Sequence, residues 1–180
     1  MRLLRGLHNI PAEFKGCAAT IGTFDGLHLG HQRIIHSLKA VSERRGVPTL
    51  VMLFEPQPKE FFAPDAAPAR LANLREKLQD LKAQQVDYVL CLPFNQALRS
   101  MSADAFIQDI LISALGIKHL IVGDDFRFGC DRRGDYQLLR EAGDKYGFEV
   151  QDTPTHELDA ERISSTRIRT ELAANNLEIG

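Results

Sequence analysis

Apolar residues in this chain follow two alternating patterns. Short apolar runs predict buried strands at residues 17–21, 49–54, 88–94, 119–122 and 148–150. Between them, apolar side chains recur every three or four positions, which predicts helices up to residue 45, over 71–84, 103–115 and 135–146, and after residue 164. Strands and helices that alternate in this way are typical of a doubly wound parallel sheet. The pattern therefore predicts an α/β fold in a single domain covering residues 1–180.

Two segments are predicted to be irregular. Residues 1–15 show little strand pattern and are interpreted as a lead-in with a turn near Pro11. Residues 55–62 follow the second predicted strand and contain Pro56 and Pro58. Because proline fixes its own φ and restricts the residue before it, we expect an extended and rigid path there.

Composition and charge narrow the classes of function. The 180 residues are 44% hydrophobic and 26% charged, with a formal net charge of −2, so there is no global basic field to recruit nucleic acid. No apolar run approaches the roughly 18 residues of a membrane span, and charge interrupts the N-terminus too often for a secretory signal. We therefore predict a cytoplasmic protein that binds neither nucleic acid nor membrane.

The three cysteines, Cys17, Cys91 and Cys130, are far apart in the sequence. Without a closely spaced pair they favour reduced thiols over a disulfide or zinc framework. A nucleophilic cysteine is the alternative, and the apolar strand context of Cys17 and Cys91 disfavours it.

Residues 22–31, Gly-Thr-Phe-Asp-Gly-Leu-His-Leu-Gly-His, join the first predicted strand to the first helix. Glycines there would let the backbone approach an anion, toward which the free N–H groups of the helix point. His28 and His31 are three positions apart, so both rings can lie on one side of the helix start and stabilise a phosphoryl-transfer transition state. The spacing fits an ordinary capping role equally well. A metal pair is disfavoured, because Asp25 is the only nearby candidate for a third ligand.

Three other stretches suit ligand binding. Residues 55–62 and 123–129 follow predicted strands, and the carboxyl ends of parallel strands form the ligand crevice. Residues 163–169, Ile-Ser-Ser-Thr-Arg-Ile-Arg, combine hydroxyls, helix N–H groups and guanidinium groups, which together suit a polyphosphate. The alternatives are plain surface loops with phenylalanines packed inward and a surface helix with solvated arginines.

Together, the stretches GTFDGLHLGH, FEPQP, VGDDFRFG and ISSTRIR resemble the adenylyltransferase module of bacterial FAD synthetases, which are bifunctional riboflavin kinase/FMN adenylyltransferases. The first and last stretches occur across the nucleotidylyltransferase superfamily, and the middle two are more specific. The resemblance implies a Rossmann-like nucleotidylyltransferase fold. It also implies that FMN and ATP, with Mg²⁺, give FAD and pyrophosphate by direct in-line attack of the FMN phosphate on the α-phosphorus.

The resemblance also implies roles for individual residues. The catalytic residues would be His28, His31 and Arg169, with the two histidines at the α-phosphate. The ATP-binding residues would be Gly22, Thr23, Phe24, Asp25, Gly30, Ser164, Ser165, Thr166 and Arg169, the last four at the β- and γ-phosphates. The flavin-binding residues would be Pro56, Pro58, Asp125, Phe126, Arg127 and Phe128, and Asp125 is also the candidate ligand for magnesium.

Two other functions stay open. The superfamily also contains cytidylyltransferases and pantetheine-phosphate transferases, against which FEPQP and VGDDFRFG count. A catalytically silent nucleotide- or flavin-binding module is the other alternative, and the complete histidine and Ser/Thr/Arg motifs disfavour it. In the family a riboflavin kinase module follows the adenylyltransferase module; since this chain stops at Gly180, kinase activity is expected to be absent.

Overall fold

The structure, a computed structural model, describes residues 1–123, 125–153, 157–158, 161–162 and 165–174. Its main feature is a six-stranded sheet with the spatial order β1-β4-β3-β2-β5-β6, in which all neighbouring strands are parallel. The six strands are β1 (Arg2–Arg5), β2 (Ala18–Ile21), β3 (Thr49–Glu55), β4 (Tyr88–Pro93), β5 (His119–Gly123) and β6 (Glu149–Thr153). The predicted α/β class with a parallel sheet is confirmed.

Helices connect these strands. They are α1 (Leu29–Arg45), α2 (Pro58–Phe62), α3 (Leu74–Ala83), α4 (Gln96–Ser100), α5 (Ala103–Ala105), α6 (Tyr136–Tyr146) and α7 (Ser165–Ala173). α5 continues directly into a π-helix, Phe106–Ala114, so the helix predicted over 103–115 is present with mostly π geometry. Two short strands, β7 (Glu157–Leu158) and β8 (Glu161–Arg162), pair with each other in antiparallel orientation before α7.

Both faces of the sheet are covered, which explains why its strands read as continuous apolar runs. Along β3, Leu50 and Met52 belong to the core on one face, and Val51 and Leu53 belong to the core on the other. The first face packs against the π-helix, and the second packs against α1. Because both faces are buried, these strands are apolar throughout and lack the alternation of apolar and polar residues that a half-exposed strand shows.

The chain changes direction in the middle of the sheet. It runs outward from β2 through β3 to β4, then returns to place β5 on the other side of β2. The carboxyl ends of β2 and β5 are therefore neighbours at the point where strand order reverses, which is where open α/β sheets bind their ligands. Residues 22–28 follow β2 and residues 125–128 follow β5, so two of the four motif stretches meet at this edge.

Two sequence predictions are wrong. Residues 2–5 form strand β1, paired with β4; this strand has arginine at both ends and buries only Leu4, so it has no apolar run to reveal it. Residues 58–62 are helical rather than extended, because Pro58 stands at the first turn of α2, where a missing N–H costs nothing. The Glu60 side chain also caps this helix, accepting a hydrogen bond from Gln57 N at 2.8 Å.

Candidate active site

The loop after β2 makes a tight turn into α1. Phe24 has a φ of 46° and Gly26 has a φ of 64°, both in the left-handed region. The Phe24 ring is buried, and a Cβ at Gly22 would lie 3.0 Å from it. This turn brings His28 to the N-cap of α1, with Gly30 and His31 in the first turn of the helix.

The rings of His28 and His31 lie against each other. Their centroids are 3.7 Å apart and their planes are inclined by 22°. The prediction that both rings lie on one side of the helix start is confirmed. His28 also caps α1, because its Nδ1 accepts a hydrogen bond from His31 N at 3.4 Å. The capping role and the paired arrangement therefore coexist.

The hydrogen bonds of the two rings assign different tautomers. A backbone N–H can only donate, so Nδ1 of His28 is the acceptor and the proton of the neutral ring lies on Nε2. Nδ1 of His31 lies 3.2 Å from the carbonyl oxygen of Gly26, which can only accept, so that nitrogen carries the proton. In neutral His28, Nε2 therefore carries a proton and can donate, whereas Nε2 of His31 can donate only when that ring is protonated.

Both histidines favour the neutral state in this structure. Burial lowers the pKa of His28. Burial, with a smaller contribution from the neighbouring His28, lowers the pKa of His31 to about 3. An anion bound beside the pair would oppose both effects, since an opposite charge favours the protonated imidazole.

Asp25 joins three distant segments of the chain. Its side chain is 2% exposed, and Oδ1 accepts hydrogen bonds from the backbone N–H groups of Leu71 and Ala72, at 3.1 Å each. Lys77 Nζ lies 3.6 Å from the same oxygen, and the Arg169 guanidinium donates to Oδ2. Asp25 thus connects the loop after β2 to the start of α3 and to α7. Its contact with an adenine nucleotide stays a prediction.

The phosphate-binding residues predicted on α7 lie beside the same loop. Ser165 donates from Oγ to the Asp25 carbonyl oxygen at 2.7 Å, and Arg169 donates from Nε to the Ala69 carbonyl oxygen at 2.7 Å. Thr166 is exposed in the first turn of α7, and Thr23 is exposed in the loop. Ser164 lies outside the described residues. The structure therefore brings the first and last motif stretches together.

A second feature of this edge is an apolar cavity of about 820 Å³. Of the predicted flavin-binding residues, Pro58, Phe126, Arg127 and Phe128 line it. Pro56 and Asp125 are exposed and are absent from its lining. Six phenylalanines contribute to its described wall: Phe54, Phe62, Phe94, Phe106, Phe126 and Phe128. Its volume is in the range of about 300–1,000 Å³ that is usual for cofactor-sized ligands.

Arg70 holds one wall of this cavity in place. Its guanidinium binds Glu55, at the end of β3, and Glu60, in α2, each at 2.5 Å. It also lowers the pKa of Glu60 by hydrogen bonding. The network fixes α2, which carries Pro58 and Phe62, against the end of the sheet.

Sequence reasoning missed Lys77 and Arg70. Lys77 is buried on α3, between Leu74 and Leu81 of the inward face. A lysine at an apolar position of an amphipathic helix was a signal that could have found it. Arg70 gave no such signal, because its partners are 10 and 15 residues away across an irregular segment.

The sequence named Asp125 as the candidate magnesium ligand and disfavoured a metal pair of His28 and His31 with Asp25 as a third ligand. Among the described residues, no group of three or more His, Cys, Asp or Glu side chains is placed to hold a metal ion. The carboxylate of Asp25 is already engaged by two backbone N–H groups and two cations.

Comparison with known proteins shows which proteins this chain is similar to. A family model described as FAD synthetase matches residues 10–167. A bifunctional riboflavin kinase/FMN adenylyltransferase from Pseudomonas fluorescens is 52% identical over 179 residues, covering 99% of this chain and 57% of that protein. The protein of the same name from Escherichia coli K12 is 49% identical over 180 residues, covering 99% of this chain and 58% of that protein. This chain thus spans less than three-fifths of these relatives.

A solved structure shares the fold. A crystal structure described as a macrolide-efflux protein from Streptococcus pneumoniae matches with a TM-score of 0.81 at 25% identity, over 95% of this chain and 57% of that chain. In the part of this chain that the structure describes, no helix has both the length and the apolar character needed to cross a membrane.

Proposed function

We propose that this chain, which belongs to the FAD synthetase family, transfers the AMP group of ATP to the phosphate of FMN, giving FAD and pyrophosphate. The observation that supports this most is the joint position of two features. The stacked His28–His31 pair and the cavity lined by phenylalanines both lie at the carboxyl edge of the sheet, where β2 and β5 are neighbours. The histidine pair suits a phosphoryl centre, and the cavity suits a flat apolar ring.

In this reaction, an FMN phosphate oxygen forms a bond to the α-phosphorus of ATP. The bond between that phosphorus and the bridging oxygen to the β-phosphorus breaks in line, and pyrophosphate leaves. The FMN phosphate is already an anion, so no protein base has to remove a proton. The work of the protein is then to position the two substrates and to stabilise charge on the α-phosphate.

The two histidines have different parts in that stabilisation. Neutral His28 donates from Nε2 to an oxygen of the α-phosphate without any change of protonation. His31 donates from Nε2 only after it takes up a proton, which the charge of the bound nucleotide favours. The pair thus supplies one permanent donor and one donor that depends on nucleotide binding.

The hydroxyl groups and guanidinium at the start of α7 are proposed to hold the β- and γ-phosphates. Ser164, Ser165 and Thr166 would act through their hydroxyl groups and Arg169 through its charge. Arg169 lies beside Asp25 in this structure, so it has to share or leave that carboxylate to reach a phosphate.

The flavin ring is proposed to enter the apolar cavity. Phe126 and Phe128 have ring centroids 5.6 Å apart at its wall, and their planes are inclined by 17°. A planar aromatic ligand gains both apolar burial and stacking from such a wall. Arg127, which is exposed at the same wall, is proposed to interact with the charged end of FMN.

Magnesium is implied by the family. The described residues do not fit a metal ion held by the protein alone, since no group of three ligands is present there. We propose that Mg²⁺ arrives with ATP, whose phosphate oxygens and waters supply most of its ligands. A contact from Asp125 stays a prediction, as does the cytoplasmic location.

The test is FAD formation, measured by chromatography after the purified chain is mixed with FMN, ATP and Mg²⁺. FAD from FMN, and none from riboflavin, is the expected result. Replacing ATP by CTP tests the cytidylyltransferase alternative. If pyrophosphate forms only with another phosphorylated acceptor, the substrate is wrong and the reaction class is right. Tight binding of FMN or ATP with no pyrophosphate release would favour a silent binding module.

A further inference from the structure

Lys77 is in an unusual environment for a lysine. Its side chain is 3% exposed and lies on the inward face of α3. Its ion-pair partner is Asp25, whose side chain is 2% exposed, with Nζ 3.6 Å from Oδ1. Lysine is almost never fully buried unless it is paired, because its charge loses hydration. The ion pair with Asp25 is therefore what stabilises the charged Lys77 at this buried position.

The single negative charge of Asp25 is more than balanced by the positive charges beside it. Lys77 and Arg169 bring two cations to one carboxylate, and two backbone N–H groups also donate to it. The two cations differ in exposure, at 3% for Lys77 and 20% for Arg169. Lys77 is enclosed and cannot approach a ligand, whereas Arg169 lies at the surface of the cluster.

The second cation determines how unfavourable it is for Arg169 to move away from Asp25. If Arg169 were the only cation at Asp25, its departure would leave a buried carboxylate without a countercharge, which is strongly unfavourable. With Lys77 in place, the carboxylate keeps one cation and its backbone donors. Arg169 is then free to move to another anion at a much smaller cost.

We propose that Lys77 is a positioning residue for nucleotide binding, which neutralises Asp25 so that Arg169 can turn from Asp25 to the phosphates of ATP. This inference rests on the proposed function, in which Arg169 binds the β- and γ-phosphates. Lys77 touches neither substrate and acts only through Asp25 and Arg169.

The experiment measures the ATP dissociation constant by titration calorimetry, with FAD formation measured in parallel. Lys77→Met keeps the length of the side chain and removes its charge. Among the described residues Asp25 then keeps Arg169 as its one ion-pair partner, and we expect ATP to bind about tenfold more weakly. Lys82→Met, at an exposed lysine on the same helix, is the matched control and is expected to bind ATP as the wild type does.

A double-mutant cycle separates this role from a purely structural one. If Lys77 acts through Arg169, Lys77→Met has no further effect on ATP affinity in an Arg169→Met background. A structural role would instead make the two losses add. Additive losses, or unchanged ATP affinity in folded Lys77→Met, would overturn the inference.

The double variant Lys77→Met/Asp25→Asn covers the case in which Lys77→Met does not fold. It removes both buried charges together, a change that folded proteins often tolerate. Arg169 then has no carboxylate to hold it, so adding Lys77→Met to Asp25→Asn is expected to change ATP affinity by less than about threefold, whatever Asp25 itself contributes to nucleotide binding. A further loss of tenfold or more relative to Asp25→Asn alone would contradict the inference. Because ATP binding is measured directly, these results stand even if the wild type forms no FAD, an outcome that would count against the proposed function alone.

Discussion

His28 and His31 share one stacked arrangement and have opposite hydrogen-bond roles. Nδ1 of His28 accepts from His31 N at 3.4 Å, and Nδ1 of His31 donates to Gly26 O at 3.2 Å. The Nε2 atom of neutral His28 is therefore a donor, and the Nε2 atom of neutral His31 is an acceptor. The two positions of the motif are thus not interchangeable, and substitutions can separate their functions.

Replacing His28 by two different amides tests this assignment. Asparagine places its oxygen near the Nδ1 position, so His28→Asn keeps the helix cap and loses the donor at Nε2. We expect a melting temperature close to that of the wild type and a loss in kcat of about 10²–10³-fold, which is typical for removal of one preorganised donor. Enzyme kinetics and thermal unfolding measure the two effects.

His28→Gln is the matched variant with the opposite properties. Its amide can reach the Nε2 position, but it does not cap the helix from the Nδ1 position. We expect it to retain more kcat than His28→Asn while losing about 1 kcal/mol of stability. If both variants lose the same activity, the tautomer assigned to His28 is wrong.

The pKa of His31 predicts how stability depends on pH. It is about 3 in the folded protein, and an unfolded histidine has a pKa of about 6.5. Between these values the unfolded chain binds the proton and the folded protein does not, so stability falls as pH decreases from about 6.5. His31→Asn should reduce the slope of unfolding free energy against pH by up to about 1.4 kcal/mol per unit, as measured by urea unfolding from pH 7.5 to 5. His36→Asn, at an exposed position of the same helix, is the control.

Binding of ATP should raise the pKa of His31 and draw in a proton. Calorimetric titrations in two buffers with different ionisation enthalpies measure this uptake at pH 6.5. We expect a fraction of a proton per ATP for the wild type and a smaller fraction for His31→Asn. Equal uptake by the two proteins would exclude His31 as the group that is protonated.

The sequence predicted the sheet well because its signal is local. The runs at residues 49–54 and 119–122 are apolar because both faces of the sheet are covered, and this can be seen in any short window. Strand β1 was not predicted, because an edge strand with arginine at both ends can be recognised only by its pairing with β4. The helix that begins at Pro58 was not predicted, because proline is compatible with both an extended segment and the first turn of a helix.

The motifs nominated the residues of the candidate site, and the hydrogen bonds and ion pairs among them were not predicted. The placement of His28 and His31 follows from their spacing on one helix. The contacts of Asp25 with Ala72 and Arg169 join residues 47 and 144 positions apart, and no local pattern contains them. Resemblance to a family predicted that Arg169 binds phosphate. Only the fold shows that its guanidinium contacts the buried carboxylate of Asp25.

Removing Arg70 should affect the proposed flavin side of the site more than the nucleotide side. Arg70→Met breaks both carboxylate contacts and leaves Glu55 and Glu60 without their shared cation, so α2 is no longer fixed against β3. We expect the KM for FMN to rise severalfold, the KM for ATP to change less, and stability to fall by about 1 kcal/mol. Arg75→Met, at an exposed position of α3, is the control. Equal changes in both KM values would indicate a general disturbance instead.

Gly134 should be required for the position of the Phe128 ring. The two residues form an antiparallel bridge, with Phe128 N to Gly134 O at 3.0 Å and Gly134 N to Phe128 O at 2.9 Å. A Cβ at Gly134 would lie 2.6 Å from two carbons of the Phe128 ring, which is too close for any side chain. Gly134→Ala should therefore displace the ring from the cavity wall, lower the melting temperature and raise the KM for FMN more than the KM for ATP.

A second substitution shows whether the ring is the cause. Leucine at position 128 is smaller and flexible, so Phe128→Leu on the Gly134→Ala background should recover part of the lost melting temperature. The same substitution alone should lower it, because it removes buried ring contacts with Phe106 and Phe126. The sign of the Phe128→Leu effect should thus reverse between the two backgrounds. An effect of the same sign in both would place the damage from Gly134→Ala in the backbone and not in the ring.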